Sequence, residues 1–242
     1  MAADTWCGII YPPDKTSVDL ATITVFGMMC DPEEVPRIIL NRQGVIPQMF
    51  PTGTFRQSMV LNRGLNMLKV ERGRYFISFD PPGEAPAKGY VRRVIHEPVQ
   101  EDCTHCHDFS VPGKVQWVAP VPELCLNCHD DPAKGLSHSH GALEEGCTVC
   151  HDPHVWEEGR TYKKDIPDLC YGCHDHVAKG RHVHEPAAEG DCLACHGAHG
   201  SNSEALLVVA GDALCLLCHD DPSAYMKTVH PAMEEGCLTC HE

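Results

Sequence analysis

Residues 147–154 read Cys147-Thr-Val-Cys150-His151-Asp-Pro-His154, and residues 192–199 read Cys192-Leu-Ala-Cys195-His196-Gly-Ala-His199. The core of both is Cys-x-x-Cys-His, and the chain carries it seven times. The other copies are Cys103-Thr-His-Cys106-His107, Cys125-Leu-Asn-Cys128-His129, Cys170-Tyr-Gly-Cys173-His174, Cys215-Leu-Leu-Cys218-His219 and Cys237-Leu-Thr-Cys240-His241. Fourteen of the 16 cysteines of this 242-residue chain are used in this way.

Two thiols three residues apart can each bond one vinyl group of a single porphyrin, and the adjacent imidazole then falls under the iron. The motif therefore predicts seven covalently attached haem c groups, with His107, His129, His151, His174, His196, His219 and His241 as proximal iron ligands. Zinc sites also use Cys-x-x-Cys pairs, but zinc gives no reason for a histidine at one fixed offset in every copy. A disulfide framework does not explain the constant two-residue spacer either.

The first cysteines of successive motifs are 22 or 23 residues apart, and Cys125, Cys170 and Cys215 recur every 45 residues in similar surroundings. Such a period marks repeat architecture. Read from Cys125, the region is three and a half two-haem units, with the half-unit of His96 and Cys103 first. On these motifs, with Val-Ile-His96-Glu-Pro and a Leu206-Leu207 after the fifth, the stretch from Val94 to Glu242 resembles the doubled Cys-x-x-Cys-His multihaem cytochromes c. The resemblance implies stacked haems in a domain of short helices and loops with little regular secondary structure.

All 17 histidines lie at or after position 96. Solvated histidines would not segregate so. By repeat position His96, His140, His184 and His230 precede a motif by 7 or 8 residues, and His154 and His199 follow one by three. These six are the expected distal ligands. His138, His182 and His105 are candidates for the seventh, and Ser110 stands where the first motif would have its following histidine. With histidines in excess, no iron needs to be five-coordinate, so electron transfer is expected rather than catalysis. A multihaem reductase with one open haem is the alternative.

Residues 1–95 differ. They carry 11 Lys and Arg against 9 Asp and Glu, whereas residues 96–242 carry 8 against 25. Pro81-Pro82-Gly83-Glu84-Ala85-Pro86 reads as a linker, which divides the chain into 1–82 and 83–242. Before it, β-rich runs at 22–29, 35–40, 54–61, 65–70 and 74–79 are separated by turn signals. They predict a small antiparallel β-sandwich. Tyr11-Pro12-Pro13-Asp14, Gly53-Thr54-Phe55 and Leu61-Asn62-Arg63-Gly64-Leu65-Asn66 resemble bacterial immunoglobulin-like domains. Cys7 and Cys30 remain, and in an exported chain the simplest expectation is a disulfide between them, free thiols being the other reading.

The net charge of −15 argues against nucleic acid as a partner. Redox proteins, cationic or metal and mineral acceptors, and copies of the chain itself fit better. No apolar run is long enough to span a membrane. Haem c is attached outside the cytoplasmic membrane, so the expected compartment is periplasmic or extracellular. Met1-Ala-Ala-Asp shows no signal peptide. Two roles are open, a carrier or subunit linked to quinol oxidation and a head-to-tail filament in which the haem chain runs on into the next copy.

Overall fold

The computed structural model describes residues 8–111, 114–177, 179–181 and 183–239. Cys7, His182, Cys240 and His241 lie outside the described residues.

Ten strands form the N-terminal part: β1 (Gly8–Tyr11), β2 (Thr16–Val18), β3 (Thr22–Met28), β4 (Ile38–Leu40), β5 (Gln43–Val45), β6 (Gln48–Met49), β7 (Thr54–Val60), β8 (Gly64–Val70), β9 (Gly73–Phe79) and β10 (Val91–Ile95). The run expected at 35–40 starts only at Ile38, after Pro36, which has no N–H to give to a ladder. Asn41 and Arg42, both at positive φ, make the two-residue turn from β4 to β5, the twist that a tight hairpin requires. In β8 the side chains of Asn66, Leu68 and Val70 are buried while Leu65 and Met67 are exposed, the period-two pattern of a half-buried strand.

One sheet has the order β1-β3-β7-β6, and the other runs from the strand Val155–Glu157 through β10, β2, β9 and β8 to β4 and β5. Their facing sides share one apolar core that includes Val25, Phe55 and Met59 from the first sheet and Ile38, Leu68 and Ile77 from the second. At Gly27 a Cβ would lie 2.4 Å from the Phe55 ring, so glycine lets that ring pack against β3.

The expectation of a purely antiparallel domain is corrected. β2 pairs parallel with β9, Thr16 opposite Ile77, and with β10, where Val91 lies opposite Thr16. β1 and β2 belong to different sheets, so β2 is not the return arm of a hairpin, and the connection from β9 to β10 is long enough to bring the chain back in the same direction.

Two buried polar side chains tie the turns. Asn66 accepts from the Asn62 amide at 2.8 Å and from Asn41 Nδ2 at 2.6 Å, and donates to the carbonyls of Asn62 and Gly64. Asp80 accepts from Ser17 Oγ at 2.8 Å, Ser78 Oγ at 2.9 Å and the Ala87 amide at 3.3 Å. The proline-rich connection is thus hooked to the strands at its start.

Packing divides the chain into two compact units, one of residues 1–124 with 151–163 and the other of residues 125–150 with 164–242. This is a different division from the one drawn by charge and proline content, because β10 and Val155–Glu157 extend the sheet of the first unit, with Arg93 opposite Glu157 and Ile95 opposite Val155. In the second unit the chain makes short helical turns, at Cys147–Val149, Cys170–Gly172, Cys192–Cys195, Asp212–Cys215 and Cys237–Thr239 among others. Among the described residues, every buried apolar side chain lies between Tyr11 and Ile77.

Candidate functional site

The motifs set their own local structure. At the second, fourth, fifth and sixth, the amide of His129, His174, His196 or His219 donates to the carbonyl of the motif's first cysteine at 2.9–3.0 Å, one helical turn. At the first, His107 pairs across a short ladder with Trp117, and at the third and fifth His151 bridges Tyr162 and His196 bridges Leu207. The first unit thereby carries its first imidazole against aromatic surface, the ring of His107 lying 4.6 Å from that of Trp117.

The histidines that precede a motif share one conformation. His96, His140, His184 and His230 each stand at the N-cap of a short helical segment, with φ between −60° and −72° and ψ between 128° and 132°. A proline follows at the start of three of these segments, where its missing N–H costs nothing. Two of the four are joined to the other class of candidate ligand: the His96 amide donates to the His154 carbonyl, and that of His140 to His199, both at 2.9 Å.

Ring geometry then selects partners. In the first unit His107 and His154 have centroids 5.8 Å apart and planes at 25°. In the second, His140 and His174 are 5.9 Å apart and His184 and His219 6.0 Å. Each pair joins a proximal histidine to a residue expected as a distal ligand. Metal–imidazole bonds of about 2 Å on either side of one metal place two ring centroids roughly 6 Å apart. By contrast, His176 lies 3.8 Å from the Tyr171 ring, in direct contact.

Several Nδ1 atoms are engaged in the manner iron ligation needs. His96 Nδ1 meets the Pro153 carbonyl at 2.9 Å, His151 Nδ1 that of Thr161 at 3.0 Å and His196 Nδ1 that of Ala205 at 2.9 Å. A carbonyl only accepts, so the proton sits on Nδ1 and the lone pair is left on Nε2. His154 directs Nδ1 to Asp152 at 3.5 Å, and that contact with the His154 amide holds the Asp152 carboxyl below its ordinary range against the opposing effect of burial. His107 is the exception: its Nδ1 makes no hydrogen bond of normal geometry. Burial and neighbouring His154 push its pKa down, against a weaker upward pull from the Gln116 backbone.

His230 differs from its three counterparts, since its Nδ1 accepts from the Ala232 amide at 3.2 Å. His138 is paired through its backbone with Ser201, and His105 closes the turn of the first motif. Ser110 donates Oγ to Asp108 at 2.9 Å in place of a ligand.

The anchoring thiols of neighbouring motifs are close. Burial pushes the Cys170 thiol up, and Cys192 and Cys150 add to the effect. Cys237 is likewise raised, by loss of solvation and then by Asp212 and Cys215, and its amide donates to Asp212 Oδ1 at 2.8 Å. First cysteines of the fourth and fifth motifs, and of the sixth and seventh, are therefore side by side. Cys30 is disulfide-bonded. Leu126, Leu193, Leu217 and Leu238, all inside motifs, expose 41–71% of their surface, apolar area that the polypeptide does not cover.

A family model described as the doubled CXXCH motif matches residues 96–134, 140–179 and 184–224. Six of the seven motifs fall within these segments. The match supports a multihaem c-type cytochrome, its motifs indicating covalently bound haem c. No curated protein and no solved structure matches the chain. Each matched pair begins on His96, His140 or His184, so the phase differs from that read from Cys125: each odd motif pairs with the even one after it, and the single motif comes last. Trp117, Trp156 and Tyr162 were not singled out by sequence. Their one signal is that aromatics, scarce at 6% of the chain, recur opposite or beside candidate ligands.

Proposed function

We propose that the chain binds seven haem c groups with bis-histidine iron and conducts electrons along them. The observation that carries this reading is the spacing of His107–His154, His140–His174 and His184–His219 at 5.8–6.0 Å. The seven motifs would hold the groups through Cys103 and Cys106, Cys125 and Cys128, Cys147 and Cys150, Cys170 and Cys173, Cys192 and Cys195, Cys215 and Cys218, and Cys237 and Cys240. His96 and His230 hold the repeat position of His140 and His184, and His199 that of His154; these three are assigned as further distal ligands, and one of His105, His138 and His182 supplies the seventh. When bound, haem c supplies a one-electron couple at iron. The residues around it fix which imidazole nitrogen is bare, exclude a sixth ligand from solvent and hold successive anchors side by side. No substrate step follows from such saturated sites.

The β region serves docking or assembly in this reading, as an immunoglobulin-like sandwich pinned by Cys7 and Cys30, in a periplasmic or extracellular protein. Its charge differs in sign from that of residues 96–242, which favours head-to-tail contact between copies, and a heterologous contact of that kind builds open filaments.

Haem content and spin state test the proposal. Pyridine haemochrome analysis is expected to give seven haems per chain, and electron paramagnetic resonance of the oxidised protein only low-spin signals. A substantial high-spin component in the untreated protein would instead favour the reductase. Sedimentation at micromolar concentration separates filament from carrier, a single monodisperse monomer being incompatible with the filament.

A further inference from the structure

The stretch 96–242 is strongly acidic, yet one cavity of the first unit is lined by two arginines. Its volume is about 240 Å³, and its walls include Arg93, Asp152, Trp156, Glu157, Arg160 and Tyr162. Arg93 lies on β10 opposite Glu157, with Nη2 3.4 Å from that carboxylate, and Arg160 reaches the same carboxylate at 2.5 Å. Two guanidiniums thus share one carboxylate. Both are largely withdrawn from solvent, their side chains 24% and 17% exposed. Arg93 Nε is buried and has no hydrogen-bond partner, whereas buried donors in folded proteins are as a rule paired with protein, water or ligand. The other carboxylate of the wall, Asp152, is engaged with His154 through the amide at 2.8 Å and Nδ1 at 3.5 Å. The wall carries Arg93, Arg160 and Lys163 against Glu157 and Asp152, a net positive charge, and Arg93 Nε adds a donor, which suits a carboxylate.

The surroundings say which anion is at hand. Trp156 packs on His96 with centroids 5.5 Å apart, Tyr162 bridges His151, and the wall residues Asp152 and Val155 flank His154. Three candidate iron ligands are thus joined to residues of the wall, and a porphyrin carried by one of them would lie on that side of the cavity. We propose that the Arg93–Arg160 cavity is a carboxylate-binding pocket that seats a propionate of an adjacent haem. This rests on the haem reading above. A cationic pair at that position favours the reduced, less positive iron, so the haem concerned lies at higher potential than those whose propionates face the acidic chain.

The holoprotein is compared with its Arg93→Gln and Arg160→Gln variants by spectroelectrochemical titration and by resonance Raman spectroscopy of the propionate bending bands. Expected is a downward shift of one haem's midpoint, with a change in the propionate bands, at unchanged haem content and far-ultraviolet circular dichroism. Titration curves and bands identical to the parent in both folded variants overturn the proposal and leave the arginines as a strap between β10 and Val155–Glu157. Inorganic phosphate and acetate are titrated in parallel. A midpoint that moves with either anion in the parent and not in Arg93→Gln assigns the cavity to a dissolved anion and overturns the propionate. A parent protein without haem absorbance sinks the haem reading itself, which the variants do not touch.

Discussion

The backbone amide of His140 donates to the carbonyl of His199 at 2.9 Å, and that of His96 donates to His154 at the same distance. A histidine that precedes one motif is thereby fixed to a histidine that follows another. In the assignment proposed above, each such bond ties together distal ligands of different irons. In the second unit, where no apolar side chain among the described residues is buried, the His140–His199 link is a fixed point of this kind.

His154→Ala removes the imidazole that faces His107. One low-spin haem is expected to become high-spin, with the signals of the others retained, as read by electron paramagnetic resonance. His140→Ala and His184→Ala are expected to act in the same way on the haems of His174 and His219, and loss of low-spin signal from several haems at once in any of them would contradict the pairing.

Gly200 borders the His140–His199 link. Its φ is +157°, and a Cβ there would lie 2.5 Å from the His138 carbonyl. Gly200→Ala is therefore expected to open the two-residue ladder of His138–Ser139 with Gly200–Ser201, at a cost of about 2 kcal/mol. Thermal unfolding monitored at the Soret band measures the loss, and a stability equal to the parent's would show the approach to be unimportant.

Asp80 supports the strands around β2 and β9. Hydrogen bonds from Ser17, Ser78 and Ala87, with the charge of Arg92, hold its carboxyl below the ordinary value, although burial, the largest single influence, acts in the other direction. A depressed folded pKa contributes stability above the unfolded value of about 3.9, and that contribution is lost as the pH falls through the folded value. Asp80→Asn is expected to destabilise the β region by on the order of 1–3 kcal/mol near pH 7. The difference should shrink in denaturant titrations carried out below pH 4, and a constant difference across that range would disagree with the assignment.

Cys30→Ser removes the disulfide of the β region. Loss of a native disulfide from a small exported domain costs roughly 2–5 kcal/mol. The midpoint of chemical unfolding followed by tryptophan or far-ultraviolet signals should fall accordingly, while haem content stays the same. An unchanged midpoint would mean that the β core alone holds the first residues.

The haem-attachment motifs of residues 96–224 were legible in the sequence because the pattern is contiguous: two thiols and an imidazole within five residues need no tertiary structure to be recognised. The long strands β3, β7, β8 and β9 were legible too, since each spans seven residues with β-rich composition and flanking turns. β2, β5, β6 and β10 were not, being two to five residues long, and neither was the parallel pairing of β2, which depends on where a distant strand returns. Most of all, the sequence named the histidines without saying which faces which. His107 meets His154 only because Val155–Glu157 joins the sheet beside β10, and Arg93 shares Glu157 with Arg160 for the same reason. Covalent chemistry is local and can be read along the chain. Axial pairing and charge placement are contacts between residues far apart in sequence, and only the fold decides them.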